Sequence, residues 1–203
     1  MAKERLKGME DFFDLQTKLK LVLQPKRYEH TLGVRYTAAS LAMRHGCDVK
    51  KAQLAGVLHD CAKSYSEEEL LSMAEEYKIP VRDAERAAPY LLHAKVGAYL
   101  AEHMYGINDK DVLEAICYHT TGKPDMTQLE KIIFIADYIE PNRKEIAGLA
   151  ESRKLAFKDL DQAMCYILGN TLHYLEQKGD FANIDEMTKS AYEFYLNEKK
   201  ENM

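Results

Sequence analysis

Residues 49–63 run Val49-Lys50-Lys51-Ala52-Gln53-Leu54-Ala55-Gly56-Val57-Leu58-His59-Asp60-Cys61-Ala62-Lys63, and their apolar spacing is that of a helix, not a strand. Asp48 stands immediately before them as a candidate N-cap, its carboxylate suited to the free amides of a first turn. His59 shares a helix face with Ala52, Ala55 and Gly56, so an ionisable ring lies where an apolar side chain is expected. Asp60 follows it directly. Successive helical residues diverge by about 100°, so the two can reach one point only from a helix edge or near a helix end. Lys63 lies one turn on, followed by a serine-bearing turn at Ser64 and Ser66. The pair is therefore expected at the C-terminal end of its helix.

Outward from this stretch the same helical period recurs, and strand signals are hard to find. A first helix is expected from about Met9 to Leu23, stopping before Pro25. A second opens near Pro25, acceptable in a first turn, and stops at His45-Gly46. Ser66-Glu67-Glu68-Glu69 is a capping-box pattern for a helix ending before Pro80. Another is expected from about Pro89 to Tyr105-Gly106. Asn108 is read as the cap of a segment holding Ile116 and His119, and Thr127 as the cap of one holding Ile132, Ile133, Ile135 and Asp137. Helices from about Asp159 to Lys178 and from about Asp185 to Asn197 complete an all-α chain, with Glu198 to Met203 expected to fray. With short connections and no Gly/Ser-rich linker, one helical bundle over residues 1–203 is expected, its core at about 25–145 and its C-terminal helices at about 146–197.

The chain has 203 residues, 46% hydrophobic and 30% charged, with a formal net charge of -5. This is a globular balance with room for a sizeable core. Its basic residues are dispersed, so no stripe points to nucleic acid. The charged start and the lack of a long apolar run give no sign of a signal peptide or membrane span. Cys47, Cys61, Cys117 and Cys165 form no C-x-x-C pair and are read as free thiols in a reducing cytoplasm.

Five further positions repeat the anomaly of His59. His30 aligns with Val34 and Leu41, His93 with Val96, Gly97 and Leu100, and His119 with Ile116, Val112 and Ala115. Asp137 shares a stripe with Ile133 and Phe134, and Asp60 adjoins His59. Singly, each histidine is explained by a hydrogen bond inside the core. Together, two carboxylates and four imidazoles in one core require compensating positive charge. A metal supplies it, and mixed imidazole and carboxylate ligation suits Fe, Mn or Zn. A carboxylate at Asp60 can bridge two ions. His45, in the last turn before Gly46, is read instead as a helix-dipole cap; His173 is read as solvated, and His103 is left outside the set.

Arg27-Tyr28-Glu29-His30-Thr31, His59-Asp60-Cys61-Ala62-Lys63, His119-Thr120-Thr121-Gly122 and Ala136-Asp137-Tyr138-Ile139-Glu140-Pro141-Asn142-Arg143 resemble the HD-domain phosphohydrolase superfamily, and within it the YqeK branch. The resemblance spans roughly residues 25 to 145 and shows no departure at the metal positions. It implies a single all-α HD domain, a dinuclear centre of two divalent ions usually given as iron, and symmetrical hydrolysis of diadenosine tetraphosphate to two ADP. Carried over by position, His30, His59, Asp60 and Asp137 would hold one ion, while Asp60, His93 and His119 would hold the other. Two such ions acidify a bridging water that attacks the phosphoanhydride and neutralise the oxygens it meets. Lys63 would balance phosphate charge, Arg143 would clamp a phosphate and Thr120 would donate to one. Arg27 is a further substrate contact, with pairing to Glu29 or Asp14 as its structural alternative. An aromatic ring is expected to stack on the base, although 13 tyrosines leave its identity open.

Two other functions are weighed. One is a nucleoside monophosphate phosphohydrolase, as elsewhere in the superfamily. The other is a nucleotide-sensing module without turnover, against which the intact ligand set argues. Exposed apolar residues in the terminal helices permit a homodimer.

Overall fold

The computed structural model describes residues 2–179 and 184–201, with side chains described over 12–179 and 184–198. The regular secondary structure among the described residues is all helical, without a strand. The helices are α1 (Ala2–Val22), α2 (Pro25–His45), α3 (Val49–Leu58), α4 (Glu67–Glu76), α5 (Asp83–Ala87), α6 (His93–His103), α7 (Lys110–Tyr118), α8 (Gln128–Ile139), α9 (Leu149–Ala156), α10 (Leu160–Gln177) and α11 (Glu186–Glu201), with a 3-10 turn at Pro89–Leu92.

Local chemistry explains most boundaries. Pro25 opens α2, and Gly46 closes it at φ 74°, its N–H bonded to the Ala42 carbonyl. A residue with a Cβ is disfavoured in that left-handed conformation. Asp48 accepts from the Lys50 and Lys51 amides to start α3. Ser66 with Glu69, and Thr127 with Glu130, form full capping boxes at α4 and α8.

Four boundaries depart from the sequence reading, and two short helices are added to it. α1 begins at Ala2, ahead of Met9. The expected helix from Pro89 is broken in two: a 3-10 turn buries Leu91 and Leu92, and α6 starts only at His93. The cap of α7 is Asp109, one residue after Asn108, whose side chain instead donates to the Gly106 carbonyl. Two short helices, α5 and α9, have no counterpart in the periodicity, being too brief to complete an apolar repeat. α11 continues past Asn197 to Glu201, so helix persists over 198–201 where fraying is expected, and 202–203 lie outside the described residues.

α8 is the central element, packing against α2, α3, α7, α9 and α10. Ile132, Ile133, Ile135 and Ala136 are all fully buried, which leaves this helix no solvated face over a full turn. Each large side chain so buried contributes about 1.5–3 kcal/mol. α2 and α3 cross closely at Gly56, where an added Cβ would come within 3.0 Å of the Arg35 α-carbon. The buried cluster runs continuously from Leu15 to Tyr195. Among the described residues, no helix is long and apolar enough to cross a membrane.

Candidate metal centre

The six residues read from apolar faces converge. His30 projects from the second turn of α2, and Asp137 from the last turn of α8. His59, His93 and His119 occupy the C-cap positions of α3, the 3-10 turn and α7. At these caps the helix ends in carbonyls without intrahelical partners. Each histidine answers one of them with its own ring: His59 Nδ1 donates to the Gly56 carbonyl at 2.8 Å, His119 Nδ1 to Ile116 at 2.7 Å, and His93 Nδ1 to Tyr90. His30 Nδ1 donates to Glu140 Oε1 at 3.1 Å.

An imidazole that donates from Nδ1 in its neutral form presents a lone pair at Nε2. All four Nε2 atoms face the same small volume. The Nε2 atoms of His93 and His119 are 3.2 Å apart, a repulsive approach of two lone pairs unless positive charge lies nearby. The buried Nε2 atoms of His30 and His59 have no hydrogen-bond partner. Asp60 divides its oxygens between the two sides. Oδ1 lies 3.3 Å from His93 Nε2 and 3.7 Å from His119 Nε2. Oδ2 lies 3.4 Å from His59 Nε2 and 3.8 Å from His30 Nε2. Asp137 Oδ1 joins the second side, 2.9 Å from His30 Nε2 and 3.8 Å from His59 Nε2. Orphaned acceptors with two carboxylates, and no cationic group among the six, make a donor set that fits divalent metal. The triads His30–His59–Asp60, His59–His119–Asp137 and Asp60–His93–His119 each have ligand atoms within 4.8 Å of one another.

The electrostatics point the same way. Burial opposes ionisation of Asp60, but the charge of His59 and contacts from His119, His59 and His93 prevail and hold its carboxyl well below the usual range. Burial likewise works against Asp137, and the contact from His30 with the charge of His59 pulls it down on balance. Burial would lower His59, yet Asp60 and then Asp137 raise it. Burial pushes His93 down to about 4, with Lys63 adding to the effect against the pull of Asp60.

The other sequence candidates are also drawn in. Arg27 Nη1 donates to Asp60 Oδ2 at 2.7 Å, so its partner is this carboxylate and not Glu29 or Asp14. Lys63 Nζ lies 3.2 and 3.3 Å from the two nitrogens of His93, and burial lowers its pKa. Thr120 Oγ1 sits 3.1 Å from both His93 Nε2 and His119 Nε2. Arg143 Nη1 stands 3.9 Å from Asp137 Oδ1. His45 bonds the Ala156 carbonyl at the end of α9, a contact across elements in place of the expected cap within its own helix. His103 stacks on Tyr99 outside the centre. Exposed His173 pairs with Gln177, although it also lines the cleft described below.

Glu140 was not legible as a site residue. It is 1% exposed, bonds His30 and accepts the Asn142 amide at 2.7 Å through Oε2. A side chain at Gly33 would run into this carboxylate. Glu140 stands within the Ala136–Arg143 block without an assigned role, and its spacing of three from Asp137 is the signal that the two share a helix face.

From His119, Thr120 and Asp137 a cleft of about 810 Å³ extends past Tyr138 and Arg143 to Tyr166, Asn170 and Tyr174. Its size suits a nucleotide-scale ligand.

Comparison with known proteins agrees with this chemistry. The family model described as HD domain matches residues 27–142. A bis(5'-nucleosyl)-tetraphosphatase, symmetrical, of Bacillus subtilis (strain 168) is 47% identical over 160 residues, which cover 79% of this chain and 85% of that one. One of the same description from Staphylococcus aureus (strain NCTC 8325 / PS 47) is 43% identical, with 77% and 80% covered. A crystal structure from Clostridium acetobutylicum, described as a predicted HD superfamily hydrolase involved in NAD metabolism, superposes with a TM-score of 0.88 at 40% identity, covering 92% of this chain and 97% of that one.

Proposed function

This chain belongs to the HD-domain family, and from that premise we infer that it is a metal-dependent bis(5'-nucleosyl)-tetraphosphatase that cleaves diadenosine tetraphosphate symmetrically to two ADP. The observation that carries the reading is the convergence of four Nε2 lone pairs and two carboxylates beside a nucleotide-sized cleft.

We assign His30, His59, Asp60 and Asp137 to one divalent ion and Asp60, His93 and His119 to a second, with iron as the metal. The split of the Asp60 oxygens toward the two histidine pairs supports this division. Bound there, such ions neutralise phosphoryl oxygens and acidify water. The chain's own groups orient the substrate. Arg27 and Arg143 each place a guanidinium beside a ligand carboxylate, Asp60 and Asp137 respectively, where it can meet two phosphoryl oxygens at once. Lys63 holds a compact charge over His93 for the leaving diphosphate. Thr120 offers its hydroxyl between His93 and His119. With dispersed basic residues, a nucleic-acid partner is not part of this reading. Four cysteines dispersed along the chain, without a C-x-x-C motif, favour a reducing cytoplasm.

The test is product analysis with anaerobically purified, iron-loaded protein. ADP as sole product of diadenosine tetraphosphate is expected. AMP with ATP, phosphate released from AMP, or tight binding with no turnover would each overturn the assignment. Asp60→Ala is expected to lose both activity and metal, since one side chain serves both sides of the centre; retention of both would contradict the bridging role.

A further inference from the structure

The far part of the cleft contains a polar group whose geometry is unexplained by packing. Asn170 lies on α10, flanked one turn away on either side by Tyr166 and Tyr174, and all three line the cleft. Residues four apart share a helix face, so the amide sits between two aromatic rings along one wall. Its Nδ2 is shielded from solvent and makes no well-formed hydrogen bond, with only a weak donation towards the Tyr138 hydroxyl. A buried donor left unpaired is unfavourable and calls for a physical account.

The surroundings connect this amide to the metal centre. Arg143 stands 3.9 Å from Asp137 and 5.9 Å from the centre of the Tyr138 ring. Tyr138 in turn borders Asn170 and Tyr166. On the other side, Gly148 has φ 81°, and a Cβ there would fall 2.6 Å from Asn170 Nδ2 and 2.9 Å from the Tyr166 hydroxyl. Its bare α-carbon therefore lets the backbone close against the amide and limits the positions the amide can take. Metal ligand, cation, aromatic ring and amide follow one another along one cleft. A nucleotide presents the matching order of phosphate, sugar and base.

We propose that the Asn170 carboxamide hydrogen-bonds the edge of the adenine in one ADP half of the substrate, with the neighbouring tyrosines packing against the ring. An amide carries a donor and an acceptor side by side, and the adenine edge carries the complementary pair. The flanking rings supply stacking surface of the kind that nucleobases take. Asn170 thereby acts as a specificity-determining residue, remote from the bond that breaks. The assignment rests on the phosphohydrolase reading, and it is tested by equilibrium binding so that the two can fail separately.

The experiment compares ADP with inorganic pyrophosphate, which lacks base and sugar, as ligands of the metal-loaded protein. In the parent protein ADP is expected to bind more tightly than pyrophosphate. In Asn170→Leu, ADP affinity is expected to fall roughly five- to tenfold, the loss of a hydrogen-bonded amide, while pyrophosphate affinity and metal content stay unchanged. Asn170→Ala serves as a second variant that cannot overfill the site. Because the substitution removes a poorly satisfied donor, the thermal midpoint is expected to change little. Unchanged ADP affinity overturns the proposal. So does equal weakening of ADP and pyrophosphate, which would mean that Asn170 acts at the phosphate end, and so does a loss of thermal stability that accounts for the weaker binding. Failure to produce ADP from diadenosine tetraphosphate would instead count against the hydrolase assignment, with the ADP binding comparison still deciding the role of Asn170.

Discussion

At the scale of single residues, the centre is organised by what the histidines do with their outer nitrogens. Three satisfy a helix-terminal carbonyl and the fourth bonds Glu140, so every Nε2 is turned inward; those of His30 and His59 have no hydrogen-bond partner, and those of His93 and His119 meet the Thr120 hydroxyl. Among the described residues, Glu140 is the carboxylate that accepts from one of these Nδ1 atoms, where the other three bond backbone carbonyls. Replacing it by glutamine keeps the shape but removes the charge that makes His30 a stronger ligand. Glu140→Gln is expected to weaken metal binding by about 10–100-fold, read by chelator competition, with the helical content unchanged. Metal binding should also depend on pH in a definite direction. Asp60 and Asp137 raise the pKa of His59 above its ordinary 6.5 despite burial, so acidification through that raised value puts a proton where the metal must bind. Apparent affinity is expected to fall as pH drops, by about tenfold per pH unit for each proton displaced. Calorimetric titration across pH 5 to 8, as a rough working range around the imidazole pKa, checks it; affinity that rose on acidification would contradict the ligand set.

At the scale of elements, the decisive feature is that most of the candidate ligands, His30 excepted, sit where helices end or begin. α3 gives way to successive i to i+3 turns, with Cys61 bonded to Leu58 and Lys63 to Asp60. That change of direction allows His59 and Asp60, adjacent in sequence, to face one site. The break between the 3-10 turn and α6 serves His93 in the same way. The crossing of α2 on α3 is equally specific. Gly56→Ala would place a methyl group 3.0 Å from the Arg35 α-carbon and 3.4 Å from Ala38 Cβ, and backbone cannot swing aside as a side chain can. A loss of about 1–3 kcal/mol is expected, measured by denaturant unfolding. A neutral result would mean that the two helices can separate without cost.

At the scale of the whole molecule, the six candidate ligands span residues 30 to 137 and come from α2, the end of α3, the start of α6, the end of α7 and α8 itself. A bound cation therefore ties together segments distant in the chain. A ligand that binds only the folded state stabilises it by mass action, about 2.7 kcal/mol when present at a hundred times its dissociation constant. Chelation is expected to lower the thermal midpoint, and re-addition of metal to restore it. The same treatment should leave the midpoint of Asp60→Ala unmoved. A midpoint equally insensitive to chelator in the parent protein would indicate a site that does not engage metal.

The sequence by itself determined the all-helical class, most helix caps and the inward direction of the six candidate ligands, because these depend on period and on local hydrogen bonding. Asp48, Ser66 and Thr127 find their partners within three residues, and His30 or His119 betrays its direction through neighbours three and four positions away. Tertiary structure alone decided what lies across the site. Glu140 meets His30 over 110 positions of chain, Arg27 meets Asp60 over 33, and Asn170 joins the cleft from a helix that the ligand pattern never touches. Periodicity shows which way a side chain points along its own helix. It cannot show which helix stands opposite, since that follows from packing the apolar faces together around α8.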